Sequence, residues 1–386
     1  MIVHVFGRTD VGRTREHNED AFVVADLTTG NATLQPEVRT HEVGDRGSLF
    51  MVADGMGGAA AGEIASAMAI DVVLQEFSDV LAESDVPDKT AYAAGLKRAT
   101  AAANAQIHTY ALEHPEFRGM GTTATIAAIL GDTLYLAQVG DSRAYLVRDG
   151  VALQITKDQS LMQKLIEAGE ITEEEAEQSE RRNIILQALG PESQIKVDLT
   201  HQQVRSNDTL IICSDGLSGQ VRIDEIASVV REEPDLMTVC KRLIDRANEN
   251  GGPDNITVIA ARFEGAGLST PASGDSIGHR VFPLPTDSGQ VPAVSRAGAD
   301  ASNAATREGP AAVRRTTLKV PTLEMPFPAE LSAPARTPER RVRSSVIALG
   351  FLVVFLALAT WWTYRAAASI IAPPAGTSTA PPPRSP

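Results

Sequence analysis

Three β-prone stretches of this chain each end at an aspartate next to a glycine, and this feature constrains the fold most. The stretches cover residues 49–53, 135–139 and 210–214, and the aspartates beside them are Asp54, Asp141 and Asp215. Short apolar runs bounded by turn residues are typical of buried strands. Asp-Gly also marks ordinary hairpin turns, so a single copy has little meaning. Three copies indicate strand ends that gather carboxylates, the ligands that hard divalent cations prefer.

The charge distribution argues against one broad class of function. The net charge is −14, with −19 on residues 1–264 and +5 on the remainder. An acidic body lacks the basic surface that nucleic-acid phosphates require, so we expect no nucleic acid as a partner and disfavour a metal nuclease. The two cysteines, Cys213 and Cys240, are too few for a disulfide framework and lack metal-ligand spacing. Cys213 is expected to be a core residue.

The order of predicted elements indicates an α+β domain over residues 1–264. Apolar residues recur at helical spacing over residues 62–81, and a second, alanine-rich helix is predicted over residues 91–112. Predicted strands occupy most of the rest, and one of them is placed around residues 195–197. Residues 158–180 interrupt the strands with an acidic helical segment, which we interpret as a small mobile insertion beside the site.

The composition changes after residue 264. Residues 265–343 are rich in Ala, Pro, Ser, Thr and Gly and end in a basic cluster, which predicts a disordered linker. Residues 346–364 carry no charge and end in aromatic residues, so we predict one transmembrane helix, with a buried core helix as the competing interpretation. The basic cluster precedes this segment, which predicts that residues 1–343 face the cytoplasm. Residues 366–386 would form a short Pro-rich tail on the other side.

Six short motifs are spread along residues 4–263. They are Arg15 with Glu19-Asp20, Asp54-Gly55-Met56-Gly57-Gly58, Gly119-Met120-Gly121-Thr122-Thr123, Gly140-Asp141-Ser142-Arg143, Ser214-Asp215-Gly216 and Gly252-Pro253-Asp254-Asn255. In this order and at this spacing, they resemble the metal-dependent phosphatases of the protein phosphatase 2C family, specifically the bacterial serine/threonine type. One motif would be a weak signal, but all six together are highly specific.

The resemblance implies a fold and a reaction. The fold would be a four-layer α-β-β-α sandwich, a central antiparallel β-sandwich flanked by helices, with residues 158–180 as the family's flap. The reaction would be hydrolysis of phosphoserine and phosphothreonine by direct attack of a water that bridges two ions. The ions would be Mn²⁺ or Mg²⁺, with a third seen in bacterial members. Two cations that acidify a water and clamp the phosphate oxygens suit a substrate whose negative charge repels nucleophiles.

The resemblance also assigns roles to individual residues. Asp54 would bridge the two ions, Asp215 and Asp254 would complete one, and the Gly55 carbonyl would bind the other. Arg15 would bind the substrate phosphate. The remaining expected metal ligands are Glu19 and Asp20, acting largely through water, and Asp141, which would hold the third ion with Asp215. Asn255 would support the last acidic loop.

Two positions depart from the family pattern. Met56 stands where eukaryotic relatives carry a histidine that can protonate the leaving group, although bacterial members commonly have methionine there. A metal-bound water or another acid must then serve that step. Gln159 replaces a histidine often found before Ser160 at the start of the flap, which puts substrate choice in doubt.

The implied partners are phosphorylated proteins, with a bacterial Ser/Thr kinase as the opposing enzyme. The implied location is the bacterial inner membrane, crossed once, with the catalytic domain in the cytoplasm. A catalytically inactive pseudophosphatase that serves as a regulatory binding module is the alternative. The complete acidic set speaks against it, because repelling carboxylates have no other physical reason to gather.

Overall fold

The computed structural model describes residues 1–32, 39–58, 61–83, 87–271 and 276–285. Its strands are β1 (Ile2–Asp10), β2 (Ala21–Asp26), β3 (Thr40–Glu42), β4 (Ser48–Ala53), β5 (Gly55–Met56), β6 (Gly121–Thr122), β7 (Ala124–Leu130), β8 (Thr133–Val139), β9 (Arg143–Arg148), β10 (Val151–Gln154), β11 (Asp198–Gln203), β12 (Thr209–Cys213) and β13 (Ile256–Glu264). Its α-helices are α1 (Ala61–Ala82), α2 (Lys89–Glu113), α3 (Leu161–Glu167), α4 (Glu173–Glu177), α5 (Asp215–Ser218), α6 (Ile223–Glu232) and α7 (Leu236–Glu249).

The strands form two antiparallel sheets. Sheet I has the order β10-β9-β12-β13-β1-β3, and sheet II has the order β11-β8-β7-β4-β2. Strands β5 and β6 pair separately as a short ladder. Because most neighbours in each sheet are distant in sequence, residues far apart along the chain come to lie at the same sheet end.

Strand β4 shows why the two sheets stack. All six of its residues are buried, and its side chains alternate between two cores. Leu49 and Met51 pack with α1 and α2, whereas Phe50 and Val52 lie in the core between the sheets. This alternation follows from the two-residue repeat of a strand. Phe50 meets Phe263 of sheet I there, with ring centroids 6.5 Å apart.

Helices cover the outer face of each sheet. The core that α1 and α2 share with sheet II is separate from the core that α6 and α7 share with sheet I. The layers therefore follow the predicted order α-β-β-α. The predicted helices over 62–81 and 91–112 are confirmed as α1 and α2. Helix α2 begins at Lys89 because the Asp88 carboxylate accepts from the backbone N–H groups of Thr90 and Ala91.

Two sequence predictions differ from the structure in position. The strand expected around residues 195–197 instead spans Asp198–Gln203, whose mostly polar sequence gives little strand signal. Residues 158–180 do contain helices, but as two short pieces, α3 and α4. Thr172 starts α4 with a capping box to Glu175, which explains the acidic first turn.

The structure extends the packed domain beyond residue 264, where the linker was predicted to begin. Residues 276–285, called here the strap, run along β11. The His201 N–H donates to the Arg280 carbonyl at 2.9 Å, and the Phe282 N–H donates to the Leu199 carbonyl at 2.8 Å. Leu284 is buried. The strap covers the edge of sheet II, which would otherwise leave unpaired backbone groups.

The remaining C-terminal predictions concern other parts of the chain. Residues 286–343, 346–364 and 366–386 lie outside the described residues, so the linker remainder, the transmembrane helix and the tail stay predictions. Among the helices that the structure describes, none combines the length and apolar character needed to cross a bilayer.

Candidate active site

The register of sheet II brings three acids to one end of the sheet. Ala21 pairs with Ala53 across β2 and β4, and Ala124 pairs with Val139 across β7 and β8. These four residues mark the same end of the sheet, because β4 also pairs with β7. The acids next to this end are Asp20, Asp54 and Asp141.

Sheet I delivers two more acids to the same place. Asp215 is the first residue of α5, with one residue between it and the end of β12, and Asp254 lies two residues before β13. The two sheet ends meet, because Ser214, next to β12, donates a hydrogen bond at 2.8 Å to the carboxylate of Asp20, next to β2. The predicted convergence of the strand-end aspartates is therefore what the structure shows.

Burial and mutual repulsion dominate the electrostatics of this cluster. Burial, then the charges of Asp20 and Asp215, raises the pKa of Asp54 well above its ordinary value. Burial also raises the pKa of Asp20 to about 7 and that of Asp141 to about 7, with Asp215 adding to both. For Asp215, burial and then Asp254 raise the pKa. Such shifts mark a cluster in which burial and repulsion between carboxylates outweigh the positive charges of Arg15 and Arg143 nearby.

The donor set fits hard divalent cations. Asp20 Oδ1 and Asp141 Oδ1 are buried and have no hydrogen-bond partner among the described residues. All the candidate ligands are oxygens, as Mn²⁺ or Mg²⁺ would require. Within the described ranges, however, no three acidic, histidine or cysteine side chains form a ready-made ligand set. One of the acids, Asp254, is engaged by an arginine.

That arginine is Arg15, which the sequence assigned to phosphate binding. It donates to Asp254 Oδ2 at 2.7 Å, and its side chain is 52% exposed. This hydrogen bond raises the pKa of Arg15, so the guanidinium stays positively charged. Burial raises the pKa of Glu19, the acid on the same loop. The loop thus places one accessible cation at the rim of the acidic cluster.

Asn255 holds this loop in place. Its Oδ1 accepts from the Glu19 N–H at 2.8 Å, and its Nδ2 donates to the carbonyls of Val11 and His17. The sequence predicted that Asn255 supports the last acidic loop, and its N–H does bond Asp254 Oδ1. Its side chain, however, bonds the first acidic loop. That loop contains Arg15, which is 239 residues from Asp254 in sequence.

Gly55 occupies a crowded position beside the cluster. A Cβ there would collide with the backbone oxygens of Gly62 and Glu19, so a larger residue would push the acidic loop away. Thr122 and Thr123 hold Asp54, the residue before Gly55, in place. The Thr122 hydroxyl and the Thr123 N–H both donate to the Asp54 carbonyl. The Gly-Thr-Thr motif therefore fixes the backbone at Asp54.

Gln159 joins the loop of Asp141 to the flap. Its Oε1 accepts from the Gly140 N–H at 3.0 Å and from Gln187 Nε2 at 2.8 Å, and its Nε2 donates to the Lys196 carbonyl at 3.2 Å. Gly140 has φ of +102°, a conformation that favours glycine. The departure at position 159 thus supplies an amide that anchors the base of the flap.

Four hydrogen-bonding residues of the site escaped the sequence predictions. They surround Asp20 and are Thr9, Asn18, Ser214 and Thr257. Ser214 belongs to a recognised motif, and its neighbour Asp215 was the residue assigned there. Thr257 lies in an apolar strand and gives no local signal, since its partner Asp20 is 237 residues away in sequence.

Comparisons with known proteins agree with this geometry. The family profile described as Protein phosphatase 2C matches residues 31–259. The serine/threonine phosphatase stp of Listeria monocytogenes is 36% identical over 257 residues, which cover 67% of this chain and 94% of the relative. The serine/threonine protein phosphatase PstP of Mycobacterium tuberculosis is 35% identical over 261 residues, or 68% of this chain and 45% of that protein.

Solved structures give the same result. The crystal structure of the Mycobacterium tuberculosis phosphatase PstP/Ppp matches with a TM-score of 0.58 and 35% identity, covering 69% of this chain and all of that one. The catalytic domain of PstP in complex with two manganese ions matches with a TM-score of 0.56 and 36% identity, over 68% of this chain and 99% of that one.

Proposed function

Because this chain belongs to the protein phosphatase 2C family and is a metal-dependent protein serine/threonine phosphatase, we propose that its strand-end acids hold the divalent cations. The observation that carries this assignment is the convergence of five aspartates from two sheets, two of them with a buried and unpartnered carboxylate oxygen. The proposed ligands are Glu19, Asp20, Asp54, the Gly55 carbonyl, Asp141, Asp215 and Asp254.

The cations and the acids depend on each other. Bound Mn²⁺ or Mg²⁺ would neutralise phosphate charge and make water a stronger nucleophile. The raised pKa values of Asp20, Asp54 and Asp215 show the cost of gathering these carboxylates without a cation. We propose two ions, with Asp54 shared between them, and a third near Asp141.

Arg15 is the proposed phosphate-binding residue. Its bond to Asp254 orients the guanidinium, and its exposure leaves further N–H groups accessible. A guanidinium recognises phosphate oxygens through paired N–H groups, so it can position the substrate beside the acids. Asn255 keeps this loop against β13 and thereby fixes the distance between the phosphate and the carboxylates.

We propose phosphorylated proteins as substrates and a bacterial Ser/Thr kinase as the opposing enzyme. The names of the relatives support the substrate class. A comparison of phosphoproteomes between wild type and a deletion strain would test both. Phosphosites that stay unchanged in the deletion strain would contradict the proposal.

We also propose that residues 346–364 anchor the chain in the inner membrane with the catalytic domain in the cytoplasm. The support is the 19-residue uncharged segment and the basic cluster before it. The full chain should then remain in the membrane pellet after carbonate extraction. Release into the supernatant would contradict the anchor.

The metal assignment is tested by Asp54→Asn. We expect this variant to lose manganese-dependent hydrolysis of p-nitrophenyl phosphate and of a phosphothreonine peptide, because an amide is a weaker ligand than a carboxylate. Circular dichroism should show an unchanged fold. The matched control is Asp224→Asn, since Asp224 is exposed in the first turn of α6 and its ion pair is with Arg222. Undiminished turnover of Asp54→Asn would contradict the bridging role, whereas a wild type without manganese-dependent turnover would favour the pseudophosphatase alternative.

A further inference from the structure

A closed ring of hydrogen bonds begins and ends at Asp20. The Asp20 N–H donates to Asn18 Oδ1 at 3.1 Å, and Asn18 Nδ2 donates to Thr9 Oγ1 at 2.7 Å. Thr9 Oγ1 and Thr257 Oγ1 are 2.8 Å apart. The Thr257 hydroxyl then lies 2.7 Å from Asp20 Oδ2, which closes the ring. The ring joins the Arg15–Glu19 loop to β1 and β13.

The chemistry of the groups determines where each proton in the ring lies. In the ionised form that would bind a cation, the Asp20 carboxylate only accepts, and each hydroxyl has one proton to donate. The Thr257 proton therefore points to Asp20, so Thr257 must accept from Thr9. Thr9 in turn accepts from the Asn18 amide, which can only donate through its nitrogen. Every side-chain donor in the ring is thus directed toward Asp20 Oδ2.

Ser214 adds a second donor to the same oxygen. Its hydroxyl lies 2.8 Å from Asp20 Oδ2, and its Oγ accepts from the Thr257 N–H at 2.9 Å. Ser214 and Thr257 are fully buried. Oδ2 therefore receives two hydroxyl donors, while Oδ1 is buried with no partner in the described part of the chain. The two oxygens of one carboxylate are sharply distinguished.

We propose that Thr257 and Ser214 are positioning residues that fix the Asp20 carboxylate and reserve its Oδ1 for the ligand shell of a divalent cation. This inference rests on the proposed metal-binding role of the acidic cluster. Two charge-assisted hydrogen bonds to one oxygen prevent rotation of the carboxylate. Groups that orient a metal ligand in this way commonly change metal affinity when they are removed. Thr9 and Asn18 support the geometry one step further away.

A purely structural role would give a different pattern. In that case the four hydroxyl and amide groups would only satisfy one another, and their loss would lower thermal stability without a specific effect on metal binding. Removing the Thr9 hydroxyl and removing the Thr257 hydroxyl would then have similar consequences. A positioning role predicts a graded effect instead, because only Thr257 contacts Asp20 directly.

The experiment compares Mn²⁺ binding by isothermal titration calorimetry across matched variants of the full chain. Thr257→Val removes the hydroxyl with little change of shape, and Thr257→Ser retains it. Thr9→Val removes the next link. The control is Thr100→Val, because Thr100 is also fully buried but its hydroxyl bonds only the Leu96 carbonyl within α2. The rise in melting temperature caused by added Mn²⁺ serves as a second readout.

We expect Thr257→Val to weaken Mn²⁺ binding about 10- to 100-fold, with Thr9→Val weakened less. Thr257→Ser and Thr100→Val should bind Mn²⁺ like the wild type. Wild-type affinity in Thr257→Val would overturn the inference, and so would equal losses in Thr257→Val and Thr100→Val. The variant Asp20→Asn distinguishes the positioning role of Thr257 from the metal-binding role of Asp20. If Asp20→Asn loses affinity and Thr257→Val does not, the positioning role fails while the proposed metal site stands. If Asp20→Asn also binds normally, the assignment of Asp20 itself fails.

Discussion

Asp141→Asn should make the metal-free domain more stable while it weakens metal binding. Burial, then repulsion by Asp215 and Asp158, raises the pKa of Asp141 from 3.8 to about 7. Asp141 is only 7% exposed. Since the folded pKa exceeds the unfolded one, stability falls as pH rises from about 4 to about 7 and stays low above that range. At ~1.4 kcal/mol per pKa unit, the ionised carboxylate costs the folded state at most roughly 4 kcal/mol.

An asparagine has the same shape and no charge, so this cost disappears. For a domain of this size, 1 kcal/mol corresponds to about 2–4 °C, so a gain of up to roughly 8–16 °C is expected at pH 8 in EDTA. Thermal melts of both proteins at pH 5 and pH 8 measure it, with Asp224→Asn as the exposed control. The gap should shrink at pH 5, and added Mn²⁺ should stabilise the wild type more. An Asp141→Asn variant no more stable at pH 8, or a gap independent of pH, would refute the reasoning.

Further predictions concern the strap, the arginine and the flap. A chain ending after residue 285 should melt at a higher temperature than one ending after residue 264, because burial of Leu284 alone is worth about 1.5–3 kcal/mol; equal melting would show that the strap contributes nothing. Arg15→Ala should raise KM for a phosphopeptide about tenfold or more, and Arg15→Lys should recover part of it; an unchanged KM would remove Arg15 from phosphate binding. Gln159→Leu should lower the free energy of unfolding by roughly 1–3 kcal/mol, because a backbone N–H loses its acceptor. The urea midpoint should fall accordingly, and an unaltered midpoint would contradict this.

The strand-end aspartates could be predicted from the sequence because their signal is local. An apolar run that stops at Asp-Gly identifies both a strand and its end, as at Asp54 and Asp215. The two long helices were equally visible, since their apolar spacing needs no knowledge of the partner sheet. The identity of the acids that converge follows from strand ends, and antiparallel pairing then brings them together.

Features that depend on distant partners could not be predicted. Strand β11 has the polar sequence DLTHQQ, and its strand character comes from β8 on one side and the strap on the other. The strap itself has the composition of a linker, and only its packing on Tyr135 and His201 reveals Phe282 as a partly buried residue against the core. Thr257 belongs to the same class, because its partner Thr9 is 248 residues away.

The acids of this enzyme are divided between the two sheets of the sandwich. Asp20 and Asp54 extend from one sheet, whereas Asp215 and Asp254 extend from the other, and contacts such as Phe50 on Phe263 fasten the sheets together. If one sheet slid over the other by a single residue, about 3.4 Å, the bond between Ser214 and Asp20 would be lost. Catalytic turnover therefore depends on the alignment of the two sheets. A change that loosens the core between the sheets would affect the active site first.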